Sequence, residues 1–171
     1  MNKTVQLLVY SIDDRRYALY MDVVTKVVRA VEVTPLPEVP AVIMGAVNVR
    51  GQLIPVIDMR VRLGLPAREI EPSDSFIIAR TSRRSVVLAV DAVAGVVEYP
   101  REKMVAAEEV IPGKDTSSRP RGGILKLDDG MLLIHDLDRF LSLEDAARFD
   151  AALKSGGPPG RRISDEADIK S

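Results

Sequence analysis

The fold is decided by the stretch Tyr17-Ala-Leu-Tyr-Met-Asp-Val-Val-Thr-Lys-Val-Val28. The chain repeats this stretch 69 residues later as Val86-Val-Leu-Ala-Val-Asp-Ala-Val-Ala-Gly-Val-Val97. A second match, at an offset of 78, places Leu53–Asp58 over Met131–Asp136, so the second copy contains a nine-residue insertion. Such repetition indicates one structural unit used twice, and its β-branched residues favour strands. The sequence therefore predicts a pair of joined β barrels that bind other molecules, rather than an active site.

Composition and charge exclude several classes of function. A chain of 171 residues suits one domain, or two small lobes that share a core. A net charge of −1, no Trp and three Phe argue against a nucleic-acid-binding double barrel, which needs a basic surface and stacking rings. Without Cys, the chain has no disulfide framework and no thiol nucleophile. No apolar run approaches the length of a membrane span, so we expect a cytoplasmic protein without direct membrane insertion.

Turn residues and prolines give a coarse map of the elements. Arg50-Gly51 separates two strands at a point where glycine can take a positive φ. Three prolines within six residues make Thr34–Val42 an extended loop. Ser142-Leu-Glu-Asp145 has the spacing of a capping box and begins a C-terminal helix. The predicted strands are Val5–Ser11, Tyr17–Met21, Val23–Val33, Ile43–Val49 and Gln52–Asp58 in the first copy, and Phe76–Thr81, Ser85–Val90, Val93–Tyr99, Ile124–Leu127 and Met131–Ile134 in the second.

Few residues could carry out chemistry. His135 is the only histidine, and strand alternation predicts that it is a surface or interface residue. A hydrolase that uses His135 or Asp58 remains an alternative, but no nucleophile is evident beside either residue. One histidine without thiols does not make a typical zinc site. We therefore expect no catalytic residue, no metal and no cofactor.

Four aspartates occur as two equivalent pairs in the repeat, Asp22 with Asp91 and Asp58 with Asp136. Each pair could form a paired carboxylate site, or each carboxylate could accept backbone N–H bonds at a local turn. Duplication favours the second interpretation, because both barrels need the same turn.

The hairpin Asn48-Val-Arg-Gly51 breaks the repeat, because the second copy reads Lys126-Leu-Asp-Asp129 at the same place. An arginine beside a glycine at a hairpin tip offers a planar five-donor fork to a partner's carboxylate or carbonyl group. Asn48 can brace the turn through its amide. The alternative is a solvated tip without function, but the break in the repeat favours a binding site.

The run from Pro35 to Arg60, PLPEVPAVIMGAVNVRGQLIPVIDMR, resembles the CheW family of chemotaxis adaptor proteins. The likeness extends from about Val5 to Ala152, and its G-x-x-N-x-R-G-x-x-x-P-x-x-D pattern is long. This resemblance implies an all-β fold of two pseudo-symmetric five-stranded antiparallel barrels, similar to Src-homology-3 barrels, packed together with a C-terminal helix. The CheW-like domain would cover residues 1–156, with lobes at about 5–66 and 74–141, a helix at about 143–155 and a disordered tail over 157–171.

The resemblance also implies a role without catalysis. Proteins of this family couple methyl-accepting chemoreceptors to a CheA-type histidine kinase. They bind the cytoplasmic tip of the receptor and the regulatory domain of the kinase, beside membrane-bound receptor arrays. The protein is then expected to be monomeric on its own. Two alternatives stay open: a receptor-coupling module of an adaptor–receiver protein, and an adaptor for a pilus or gliding chemosensory pathway.

The resemblance assigns binding roles by position. The hairpin of Asn48, Arg50 and Gly51 would lie near the receptor-contacting face, and Gly45 matches a glycine implicated in partner contact. Lys26 stands where many members have Glu, and this reversal of charge implies a different receptor set. The residues predicted to bind partners are Val24, Lys26, Val27, Val28, Gly45, Asn48, Arg50 and Gly51, and those predicted to close turns are Asp22, Asp58, Asp91 and Asp136.

Overall fold

The computed structural model describes residues 4–106, 123–127 and 130–154, and the predicted tail over 157–171 lies outside these ranges. The two helices described are α1 (Met59–Arg62) and α2 (Leu143–Lys154), and single 3-10 turns cover Met21–Val23, Arg101–Lys103 and Leu137–Arg139. The strands described are β1 (Thr4–Ile12), β2 (Arg15–Tyr20), β3 (Val24–Arg29), β4 (Ile43–Val49), β5 (Gln52–Asp58), β6 (Ser75–Arg80), β7 (Ser85–Val90), β8 (Ala92–Pro100), β9 (Met104–Ala106), β10 (Gly123–Leu127) and β11 (Gly130–Ile134).

The strands form two sheets, which confirms the predicted all-β fold with a C-terminal helix. A six-stranded sheet has the order β8-β1-β2-β11-β10-β9, and a five-stranded sheet has the order β3-β6-β7-β5-β4. Both sheets are mixed rather than purely antiparallel, because β2 pairs with β11 and β7 pairs with β5 in parallel. The family resemblance predicted antiparallel strands throughout. The two parallel pairs occupy equivalent places in the sequence repeat, so each sheet departs from the prediction in the same way.

Each copy of the repeat contributes strands to both sheets. The hairpin β1–β2 belongs to the first copy but pairs with β8 and β11 of the second. The hairpin β6–β7 belongs to the second copy but pairs with β3 and β5 of the first. The stretches Tyr17–Val28 and Val86–Val97 therefore cross from one sheet to the other. We call these two connections the crossovers; Asp22 lies in the first crossover, and Asp91 lies in the second.

Three apolar clusters fill the molecule, and their arrangement follows from strand alternation. The largest cluster draws on both sheets: Tyr10 of β1 and Leu88 of β7 are both fully buried in it. Phe149 of α2 packs into the same cluster, so the helix covers one side of the contact between the sheets. The other two clusters each belong to one sheet, around Phe76 in the five-stranded sheet and Leu125 in the six-stranded sheet. Burial of this apolar surface is the main source of stability for the fold.

The predicted capping box at the start of α2 is confirmed. The Asp145 N–H donates to Ser142 Oγ at 3.0 Å, and the Ser142 N–H donates to Asp145 Oδ2 at 3.4 Å. A second attachment lies further along the helix, where Arg84 of the β6–β7 turn donates to both oxygens of Asp150 at 2.7 and 3.0 Å. The guanidinium of Arg84 also lies 5.5 Å from the ring centre of Phe149. These contacts fix α2 against the five-stranded sheet.

Candidate interaction surface

The β4–β5 hairpin ends in a tight two-residue turn. Val49 and Gln52 are the last paired residues, and Arg50 and Gly51 between them have φ values of 52° and 86°. Positive φ at both central positions is the geometry of a type I′ turn, whose twist matches that of the strands. The Gly51 N–H donates to Asn48 Oδ1 at 2.7 Å, as the sequence predicted for the amide. The turn therefore presents the exposed Arg50 side chain at a braced tip.

Gly45 lies in the interior of this hairpin and is buried. A Cβ atom built on Gly45 would lie 2.1 Å from the carbonyl oxygen of Thr34, and the φ of Gly45 is +150°. Thr34 and Ala46 exchange two backbone hydrogen bonds at this point, of 3.0 and 2.9 Å. The glycine therefore lets the proline-rich segment run directly against β4. Close packing against Thr34 is therefore sufficient to explain a glycine here, and the predicted role of Gly45 in partner contact stays a prediction.

Strand β3 supplies fewer exposed residues than the resemblance implied. Val24 and Lys26 are half-buried, with a bulge between them in the pairing with β6. Val27 is 5% exposed in the cluster between the sheets, and Val28 is 0% exposed in the cluster of the five-stranded sheet. Successive residues of a strand face opposite sides, and here both sides are core. Val27 and Val28 therefore offer a partner almost no surface, and Val24 and Lys26 are the better candidates on this strand.

Strand register brings the hairpin tip and the start of β3 to one end of the five-stranded sheet. Strand β5 is parallel to β7, so the tip lies at the end where β7 begins. Strand β6 is antiparallel to both β7 and β3, so it ends where β3 starts, with Val24 paired to Ala79. The same end of the sheet thus carries Arg50, the β6–β7 turn and the first crossover. We call this end the tip face.

The predicted turn aspartates differ in their contacts. Asp58 is the N-cap of α1, where its Oδ1 accepts from the N–H groups of Arg60 and Val61 at 3.0 and 3.3 Å. Asp136 is the N-cap of the 3-10 turn that begins at Leu137, and it accepts from the Asp138 N–H at 3.1 Å. Both carboxylates therefore fix the first turn of a helical segment that follows a strand.

The crossover aspartates are not equivalent, although the sequence predicted the same role for both. Asp22 is exposed in its 3-10 turn, and Tyr20, not Asp22, occupies the N-cap position. Asp91 accepts from Arg60 Nη2, Arg68 Nη2 and the Asp13 N–H, each at 2.7 Å. Asp91 therefore bridges two arginines instead of capping its own turn.

An ion-pair network extends from Asp91 and was not predicted from the sequence. Arg60 of α1 is 8% exposed and also donates to Asp13 Oδ1 at 2.6 Å. Arg68 also donates to both oxygens of Asp74, at 2.9 and 3.0 Å. Neighbouring carboxylates raise the pKa of both guanidinium groups further above their ordinary value. Because Asp13 lies in the β1–β2 turn and Arg60 follows β5, the network joins the two sheets.

At the first crossover the structure has a cleft in place of a network. The cleft has a volume of about 410 Å³, and we call it the crossover cleft. One wall contains a hydrogen bond, because the Ser82 N–H donates to Asp138 Oδ1 at 2.9 Å. The lining residues are Tyr20, Asp22, Val23, Arg80, Thr81, Ser82, His135, Asp136, Leu137 and Asp138.

His135, for which alternation predicted a surface or interface position, is half-buried and lines the crossover cleft. Its ring stacks on Tyr17 with centroids 4.7 Å apart and meets the edge of Phe140 at 5.1 Å. Burial lowers the pKa of His135 to about 4, so the ring is neutral at physiological pH. Burial raises the pKa of Tyr10 well above its ordinary value, so the Tyr10 hydroxyl stays protonated, and it shares a hydrogen bond with His135 Nδ1. The strand ends at Ile134, so its alternation does not extend to His135.

Two further observations bear on the kind of site. Within the described ranges, no three acidic or histidine side chains are grouped so that they could hold a metal ion. None of the helices in those ranges has the length and apolar character needed to cross a membrane. The described surface thus offers groups for recognition: a braced arginine tip, a cleft with carboxylates and an ion-pair network.

Comparisons with known proteins identify relatives over most of the chain. A family model described as a CheW-like domain matches residues 6–145. The chemotaxis protein CheW of Rhizobium meliloti is 26% identical over 140 residues, which cover 82% of this chain and 89% of that protein. CheW of Bacillus subtilis is 29% identical, with 82% and 89% covered. The crystal structure of the scaffolding protein CheW from Thermoanaerobacter tengcongensis aligns with a TM-score of 0.69 at 30% identity, covering 82% of this chain and 94% of that one.

Proposed function

The chain belongs to the CheW family, and we propose that it couples methyl-accepting chemoreceptors to a CheA-type histidine kinase. Members of this family are scaffolding proteins of chemotaxis that act by binding, and the chain is therefore an adaptor rather than an enzyme. It works in the cytoplasm, beside membrane-bound receptor arrays. Its partners are the cytoplasmic tip of the receptor and the regulatory domain of the kinase.

The observation that carries this proposal is the conformation of Arg50. A residue with a side chain at a φ of 52° costs about 1 kcal/mol relative to an ordinary conformation. Asparagine or glycine would remove most of this cost at the first position of a type I′ turn. The chain instead keeps an exposed arginine there and braces the turn through Asn48. Strain kept at an exposed tip supports a use for the guanidinium in recognition.

The remaining candidates extend this site along the tip face. Val24 offers a partly exposed apolar side chain, and Lys26 adds a second positive charge. A receptor segment with acidic groups around an apolar centre would complement Arg50, Lys26 and Val24 together. Several weak contacts of this kind suit an array, in which many linked copies strengthen one another without a single tight interface.

The test compares two charge reversals at exposed arginines in turns. Arg50→Glu reverses the charge at the tip, and Arg101→Glu does the same in the 3-10 turn after β8. Binding of a soluble receptor fragment is measured by calorimetry, and kinase stimulation is measured in a reconstituted receptor–kinase mixture. We expect Arg50→Glu to weaken receptor binding by about tenfold, or about 1.4 kcal/mol. Both variants should keep the wild-type unfolding midpoint. Equal receptor affinity for the two variants would contradict the proposal.

A further inference from the structure

The two crossovers are equivalent in sequence but differ in charge. At the second crossover, Arg60 lies between the carboxylates of Asp91 and Asp13, with contacts of 2.7 and 2.6 Å. The offsets of 69 and 78 residues place Asp22 opposite Asp91 and Asp138 opposite Arg60. The first crossover therefore keeps the central aspartate but has a carboxylate where the second has a guanidinium.

Arg60 and Asp138 occupy equivalent positions in the structure as well as in the sequence. Asp58 and Asp136, which precede Arg60 and Asp138 by two residues, both cap the next helical turn, so the two side chains start from equivalent positions. Arg60 reaches the β1–β2 turn at Asp13, and Asp138 reaches the equivalent β6–β7 turn, where it accepts from the Ser82 N–H. Asp138 therefore contacts the turn equivalent to the one that Arg60 contacts at the second crossover, but as a carboxylate that accepts from a backbone N–H.

The first crossover has no equivalent of the Arg60 guanidinium, and a cleft lined by carboxylates lies there instead. The crossover cleft, of about 410 Å³, lies within the range of about 300–1,000 Å³ that is typical of ligand sites. Its lining includes three carboxylates, of Asp22, Asp136 and Asp138, and one guanidinium, of Arg80. Asp136 also lies 3.5 Å from Arg139 Nε, whereas Asp22 is exposed. The charges around the cleft therefore favour a cation.

We propose that the crossover cleft binds the guanidinium of an arginine presented by a partner protein, in the position that Arg60 fills at the second crossover. A guanidinium is planar and presents five donors, so it can bridge Asp22 and Asp138 as Arg60 bridges Asp91 and Asp13. The cleft is lined by Ser82 of the β6–β7 turn and by Asp22 of the first crossover, and both segments lie on the tip face with Arg50. The identity of that partner rests on the proposed function, whereas the guanidinium site does not.

A direct test uses a small probe instead of the partner. N-acetyl-arginine amide is titrated into the isotope-labelled protein, and the backbone amide signals of Ser82 and Asp138 are followed by NMR. N-acetyl-citrulline amide, which has the same shape without the charge, serves as the control probe. We expect saturable shifts with the arginine probe only, and an affinity at least threefold weaker in Asp22→Asn. Asp14→Asn, which removes an exposed carboxylate from the β1–β2 turn, should leave the affinity unchanged.

A second variant separates loss of the site from loss of the fold. Asp138→Arg restores the residue found at the second crossover, so its own guanidinium should occupy the cleft beside Asp22. We expect this variant to lose the saturable shifts while its melting temperature stays at or above the wild-type value. Saturable shifts that persist in Asp138→Arg, equal shifts with the citrulline probe, or no saturable shift in the wild type would each overturn the proposal. Arg50→Glu should keep full probe binding, so a failure of receptor coupling can be told apart from a failure of this site.

Discussion

The replacement Gly45→Ala tests how the hairpin and the proline-rich segment fit together. The added Cβ would lie 2.1 Å from the carbonyl oxygen of Thr34, 2.8 Å from its carbonyl carbon and 2.9 Å from Val33 Cγ1. Two of these atoms belong to the backbone and cannot rotate away as a flexible side chain could. Relief of the contact therefore requires the segment at Thr34 to move away from β4. Because this segment contributes to both bonds of the Thr34–Ala46 bridge, the movement breaks regular pairing.

The cost follows from three contributions that the structure specifies. Loss of the hydrogen bonds of 3.0 and 2.9 Å between Thr34 and Ala46 costs about 1 kcal/mol each. Overpacking of a filled interior adds about 1–3 kcal/mol. A side chain at the positive φ of Gly45 adds about 1 kcal/mol. Since such contributions overlap, we expect a loss of about 3–5 kcal/mol, a large part of the roughly 5–15 kcal/mol that stabilises a typical domain.

The assay is urea unfolding followed by circular dichroism, with Gly51→Ala as the matched control. Gly51 also has a positive φ, of +86°, but no atom lies within 4 Å of the position of its Cβ. The control should lose only about 1 kcal/mol, from backbone strain alone. If the two variants unfold at the same urea concentration, the close contact at Thr34 does not constrain the fold. Loss of receptor binding by Gly45→Ala at unchanged stability would instead support direct partner contact at this glycine.

Three further outcomes can be measured in the same unfolding assay. Arg50→Asn should raise stability by about 0.5–1 kcal/mol, because Asn tolerates a positive φ, while it weakens receptor binding; lower stability would contradict the strain at the tip. The pKa of His135 is about 4 in the folded chain and 6.5 in the unfolded one, so protons favour unfolding. Stability should fall by up to about 3 kcal/mol from pH 6.5 to pH 4. A similar fall in His135→Gln would assign this loss to other groups. Ser142→Ala should cost about 1 kcal/mol, because it removes the acceptor for the Asp145 N–H; a neutral effect would mean that the cap does not stabilise α2.

Much of the fold could be predicted from local sequence. The hairpin turn at Arg50-Gly51 and the capping box at Ser142 both depend on residues within a few positions of one another. Short-range rules of backbone conformation and capping are sufficient for such features. The pairing of each hairpin with strands of the other copy could not be predicted in this way. It depends on which distant strand completes each sheet, and the repeat allows a hairpin to pair within its own copy as well as with the other.

The burial of Val27 and Val28 shows the same limit at the level of single residues. The family resemblance predicted that they bind a partner, because they match partner-binding positions of the family. Their accessibility depends on the apolar clusters on the two faces of β3: Val27 packs into the cluster between the sheets, and Val28 packs into the cluster of the five-stranded sheet. The partial burial and ring contacts of His135 could not be predicted for a related reason, since alternation holds only as far as the strand does. The network around Arg60 could not be found by local rules either, because its members come from four separate segments.

The repeat did contain a sign of this network, at a place where its two copies disagree. Some residues that agree between the copies have the same structural role twice, as Asp58 and Asp136 do, whereas Asp22 and Asp91 agree in sequence but differ in their contacts. Where the two copies have different residues at equivalent positions, the two positions have different structural roles. Arg60 and Asp138 are one example, and the hairpin tip at Arg50 is another. At the second crossover Arg60 joins the two sheets, whereas the first crossover has a cleft at the end of the five-stranded sheet that also carries Arg50. Differences between equivalent positions are therefore the part of a duplicated sequence in which binding sites are best sought.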